Sequence, residues 1–130
     1  MRVLVVTAVD AERDAIVRGA SAAGPAGTGE PADPVEFAVP GFVLRRSAPL
    51  PEPLVIDALA AGVGPAAAAA GAATALTAAA LSGSPYGLVV SAGIGGGFTT
   101  PGRSAAVGSV VVSDAIVAAD LGAETPAGFV

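Results

Sequence analysis

Residues 2–18 read RVLVVTAVDAERDAIVR. The first six, RVLVVT, form a continuous apolar and β-branched run, the mark of a strand buried on both faces. A helical spacing follows at once: Val9, Arg13 and Val17 fall on one side, while Asp10 and Glu12 lie near the N-terminal turn, where the helix dipole favours acids. Asp10 is placed to cap, with residues 11–18 helical. A buried strand that runs straight into a helix is the opening unit of an α/β sheet.

The same grammar continues downstream. From Leu54, LVIDALAAGVGP gives a strand and a tight glycine turn, and a nearly polyalanine helix then runs from Pro65 to about Leu81. Proline suits the first helical position, because its missing N–H would be unsatisfied there anyway. Gly83-Ser84-Pro85 ends that helix, and residues 86–92 (YGLVVSA) form a third strand leading into Gly93-Ile94-Gly95-Gly96-Gly97. Residues 107–113 (VGSVVVS) read as a fourth strand, followed by Asp114 and a mixed segment. Between the first helix and the second strand, residues 19–53 turn to Gly, Pro, Ser and isolated acids, and residues 35–45, broken at Pro40-Gly41, read as a hairpin within a variable surface excursion. The expectation is one α/β domain over residues 1–130, with a mostly parallel or mixed central sheet flanked by helices.

Composition narrows the chemistry. The 130 residues carry six Lys and Arg against eleven Asp and Glu, a net charge of -5, and no His or Cys. Disulfides, thiolate nucleophiles, His-based zinc sites and Ser-His or Cys-His catalysis are therefore absent from this sequence. All six basic residues are scattered arginines and the pI is near 4.3, so no positive stripe offers itself to a nucleic acid. Aromatics are 4% while hydrophobic residues are 53%, which makes the apolar content one of small side chains. The long uncharged stretch between Asp57 and Asp114, interrupted only by Arg103, is too rich in Ala, Gly, Pro and Ser for a membrane span. The first residues lack the long apolar region of a signal peptide, so a cytoplasmic location is expected.

In open α/β sheets ligands bind beyond the carboxyl ends of the strands. Three features fall there: Glu12 after the first strand, the turn Gly62-Val63-Gly64, and the loop from Gly93 to Gly97. Glu12 is either a solvated first-turn acid or a carboxylate projecting over the ligand edge, where partial desolvation would raise its pKa and suit it to general-base work. The glycines serve either tight turns that pack the small-residue helix or a ligand lying against bare backbone, and the run Gly95 to Gly97 favours the ligand. Gly62 to Ala67 loosely fits a dinucleotide fingerprint, but the acid that should follow by ~20 residues is missing. Asp114, Asp120 and Glu124 are either loop acids or further polar contacts. Arg45-Arg46 is either a surface pair or a partner for an anionic substrate group.

Four motifs stand in order: TAVDAERDAI, AGVGPAAAAAG, VVSAGIGGGF and VGSVVVSDAIVAAD. Together they resemble the nucleoside phosphorylase and nucleosidase superfamily, in particular its hydrolase branch with the methylthioadenosine/S-adenosylhomocysteine nucleosidases. Within that branch AGIGGGF and SDAIVAADLGAETPAGF are most similar to the futalosine hydrolases. The resemblance implies a nucleoside-phosphorylase-like fold, no metal or organic cofactor, a homo-oligomer, and a purine nucleoside with a modified 5′ position as substrate. Futalosine would yield hypoxanthine and dehypoxanthine futalosine, a step of menaquinone biosynthesis. Glu12 then matches the residue that activates water, Ala8 and Val9 the wall beside it, Val63 the turn near the ribose, and Ile94, Gly95 and Gly96 the loop along the nucleoside. The turn Thr7-Ala8-Val9-Asp10, with acids around it and no glycine, disfavours a phosphate acceptor and favours water. The superfamily's ribose-binding Met-Glu motif and purine-protonating aspartate have no match up to Val130, so the chain is expected to be the N-terminal part of such an enzyme. A methylthioadenosine/S-adenosylhomocysteine nucleosidase and a non-catalytic nucleoside-binding fragment remain the competing assignments.

Overall fold

The computed structural model describes residues 1–23, 33–47, 54–97, 99, 102, 105–117 and 122–129. It divides into two compact units, Met1–Gly95 and Gly96–Val130. The first contains β1 (Arg2–Thr7), α1 (Asp10–Ala22), β2 (Val35–Val39), β3 (Phe42–Arg46), β4 (Val55–Ala60), α2 (Pro65–Leu81) and β5 (Leu88–Ser91). Its strands form one mixed sheet in the order β2-β3-β4-β1-β5. β1 runs parallel to β4 and β5, whereas β3 is antiparallel to both β4 and β2. The α/β expectation of a mostly parallel or mixed sheet with flanking helices holds in this unit.

Period-two alternation in β1 assigns one helix to each face of the sheet. Val3 and Val5 pack with Val17 of α1 and Ala58, while Leu4 and Val6 pack with Ala75 of α2, Leu44 and Leu59. This double burial is why β1 is apolar at every position from Val3 to Val6. The alanines of α2 let it lie close to the sheet: a Cβ on Gly71 would come within 2.7 Å of the Ala61 Cβ.

The expected hairpin is present, with its turn at Pro40-Gly41 and Gly41 at φ +80°. It does not stand off as a surface excursion. β3 pairs with β4 and buries Leu44 completely, so the hairpin is an edge of the main sheet. Helix α1 also continues past Arg18 to Ala22, and its N-cap is Val9, with Asp10 already in the first turn and paired to Arg13 at 2.8 Å. Beyond residue 95 the expected fourth strand is a correction. Residues 107–113 are exposed and form no strand among the described residues, and the second unit pairs only β6 (Glu124–Thr125) with β7 (Gly128–Phe129). β-propensity describes fit to a pleated, half-buried surface, and among the described residues no neighbouring strand pairs with this segment.

Candidate active site

β1, β4 and β5 are parallel, so their carboxyl ends share one edge. β1 is central among them, and the connections to its two neighbours pack helices on opposite faces. That arrangement opens a crevice at the end of β1. A cleft of about 400 Å³ occupies it, within the ~300–1,000 Å³ range of small-molecule sites. Backbone bonds fix its floor: Thr7 accepts from Ala61 at 2.9 Å, Ala8 from Gly62 at 3.1 Å, and Val6 from Ala92 at 2.9 Å. The buried Thr7 hydroxyl donates to the Leu59 carbonyl at 3.2 Å, tying β1 to β4 where the chain leaves the sheet.

Glu12 reaches this floor from the first turn of α1. Its Oε2 accepts the amides of Ala8 at 3.0 Å and Val9 at 3.3 Å, the second being the acidic half of a capping box. Its Oε1 accepts the Ile94 amide at 2.9 Å. The Ile94 bond is the largest influence on the carboxyl and pulls its pKa down. Desolvation opposes it, the Ala8 and Val9 amides add to it, and the net shift is downward. The expected upward shift is therefore wrong in sign, because amide donors favour the ionised form more than the open cleft disfavours it. A carboxylate has about four acceptor positions and three are taken, two of them on Oε2. The remaining one belongs to Oε1. Among the described residues, Glu12 is the only ionisable group lining the cleft.

Of the residues expected at the site, Glu12, Ala8, Ile94 and Gly95 come together in the cleft. Val9 contributes its amide from the rim. Val63 does not line the cleft: it is 81% exposed at the crest of its turn, between the lining residues Gly62 and Gly64. Those two glycines hold φ of +104° and +97°, conformations that L side chains rarely adopt. Gly96, Asp114 and Glu124 belong to the second unit, and Asp120 lies outside the described residues. Arg45 and Arg46 are spent on ion pairs within the protein, Arg45 with Glu36 and Asp14 and Arg46 with Asp57. In the sequence Gly93 is one glycine of a loop, yet in the structure it is the crowded one: a Cβ there would meet Glu12 Oε1 at 3.1 Å, whereas one on Gly95 would meet nothing within 4 Å. A glycine carries no side chain from which such a contact could be read. Thr7 and Ser91 also line the cleft, and their places at the carboxyl ends of β1 and β5 were the available signal.

No family model matches the chain, and no solved structure matches it. A futalosine hydrolase of Streptomyces coelicolor is 56% identical to it over 129 residues, covering 99% of this chain and 47% of that protein. The chain thus spans about half the length of the curated relative it matches. Along nearly its whole length this chain is similar to the N-terminal part of a futalosine hydrolase, a family that its four ordered motifs resemble.

Proposed function

We propose that this chain forms part of a hydrolase of the N-glycosidic bond of a purine nucleoside with a modified 5′ position, futalosine first, and so serves menaquinone biosynthesis. The observation that carries the proposal is the Glu12 carboxylate, fixed by three amides at the floor of the cleft with one acceptor position left on Oε1. Cleavage of a purine riboside passes through an oxocarbenium-like sugar, so a water must be aligned and deprotonated at C1′ as the bond to the purine nitrogen breaks. Glu12 Oε1 takes the proton of that water, and the bonding electron pair leaves with the purine. None of the described cleft residues other than Glu12 is ionisable, so protonation of the leaving base falls to groups outside this cleft.

Water is favoured over phosphate as acceptor by the same contacts. In an anion nest the amides after the first strand would face a phosphate. Here the Ala8 and Val9 amides already hold a carboxylate. The loop of Ile94 and Gly95, with Gly96 next in the chain, would run along the nucleoside, with Ala8 and Val9 as the wall beside Glu12 and Val63 at the turn near the ribose. We extend the proposal to a cytoplasmic homo-oligomer. An edge strand β5 with Leu88, Val89 and Val90 all exposed supports association.

The test is to incubate the chain and its Glu12→Gln variant with futalosine and with methylthioadenosine and to follow free purine base by chromatography. Base released by the parent and lost by at least a hundredfold in the variant is the expected result. Absence of both base release and nucleoside binding would overturn the proposal. Binding without release would favour the second reading, a nucleoside-binding chain without turnover, which the 47% coverage of the relative supports.

A further inference from the structure

Glu12 and the loop after β5 meet at one point. Ile94 gives its amide to Oε1 at 2.9 Å, and the residue before it, Gly93, lies so close that a Cβ would stand 3.1 Å from the same oxygen and 3.5 Å from the carboxyl carbon. No positive φ demands a glycine at position 93. The constraint there is the carboxylate, which would have to shift by a few tenths of an ångström to admit a side chain. Gly95, two residues on in the same loop, has neither constraint.

We propose that the Gly93-Ile94 peptide is the positioning element for Glu12: the Ile94 amide orients Oε1, and glycine is required at 93 so that the carboxylate can reach that amide. The proposal deepens the assignment of Glu12 as the water-activating base and rests on it for its catalytic consequence. Two amides on Oε2 alone would hold one oxygen and leave the carboxylate free to pivot about it, carrying Oε1 out of place. The third amide, brought from the loop after β5, 82 residues away in sequence, removes that freedom. It also directs the one open acceptor position, where a misplacement of about 1 Å can cost a hundredfold in rate. Other charges do not compete for the carboxylate, since the nearby Asp10 and Arg13 of α1 are paired with each other at 2.8 Å and no other described cleft residue ionises.

Carbon-detected NMR of the chain labelled at glutamate carboxyls, with the Glu12 signal assigned through Glu12→Gln, reads this directly. In the unsubstituted chain the Ile94 amide proton is expected to shift with the same midpoint as the Glu12 carboxyl. Gly93→Ala and Ile94→Pro, which crowd or remove the donor, are expected to move the Glu12 midpoint upward, and Gly95→Ala to leave it in place. An Ile94 amide that ignores the Glu12 titration overturns the proposal even if neither variant folds, and so does a Glu12 midpoint unchanged in a folded Gly93→Ala. In the base-release assay Gly93→Ala is expected to lower kcat about ten- to hundredfold with little change in KM. If the titrations behave as expected and the parent releases no base, the positioning stands and only the hydrolase assignment fails.

Discussion

Glu12 concentrates what a residue's surroundings add to its identity. In a chain without histidine or cysteine it was legible as the available base, and its place at the end of β1 was legible from the strand-to-helix junction. Its electrostatics were not. The amide of Ile94 comes from the loop after β5, and that contact together with the Ala8 and Val9 amides holds the carboxyl below its ordinary pKa despite partial desolvation. A depressed pKa keeps the base ionised at neutral pH, so purine release is expected to stay level as pH falls from 7 to about 5. It should decline only below the ordinary glutamate range of about 4.3. A pH profile of initial rates checks this, and an acid limb centred between pH 5 and 7 would contradict it.

At the scale of elements, the helices and buried strands followed from local pattern. Pro65 at N1 and Gly83-Ser84-Pro85 beyond its end gave α2 the bounds Pro65–Leu81, and β1 spans Arg2–Thr7 as its composition requires. What pattern did not give was company. The hairpin β2–β3 is a sheet edge because Leu44 finds Leu59 across the β3–β4 pairing, while residues 107–113, equally β-branched, form no strand among the described residues. Gly71 shows how packing overrides propensity within α2. Replacing a mid-helix glycine by alanine ordinarily gains about 1 kcal/mol. Here the new methyl would meet Ala61 Cβ at 2.7 Å and Leu59 Cδ2 at 3.0 Å, an overpacking that costs about 1–3 kcal/mol. Gly71→Ala is therefore expected to lower stability by about 1 kcal/mol, read as a lower urea midpoint with an unchanged slope.

For the first unit as a whole, Asp57 is the tie between strands. Its side chain is 0% exposed in β4, yet it accepts from Arg46 Nε at 2.7 Å, Arg2 Nη2 at 2.6 Å and the Tyr86 hydroxyl at 2.8 Å. It thus joins β1, β3 and the approach to β5 at the end of the sheet opposite the cleft. Burial pushes its pKa up, but the bonds from Arg46, Arg2 and Tyr86 outweigh burial and the net shift is downward. A depressed carboxyl stabilises the fold fully above its unfolded value, about 3.9, and loses that contribution as pH falls through the folded value. Asp57→Asn is expected to cost about 3 kcal/mol at neutral pH, since it leaves two arginines without their charge partner. Chemical unfolding followed at pH 7 and at pH 3 checks this, with the gap between parent and variant narrowing in acid. By itself the sequence determined the α/β class, the order of β1, α1, the hairpin, β4, α2 and β5, and Glu12 as the acid at the ligand edge, because apolar period, glycine and proline placement are local properties. Only the tertiary structure decided that the hairpin joins the main sheet, that Asp57 binds Arg2, Arg46 and Tyr86, and that Gly93 and Ile94 hold Glu12. Each of these depends on strands brought side by side from distant parts of the chain, and their register is set by the core rather than by neighbouring residues.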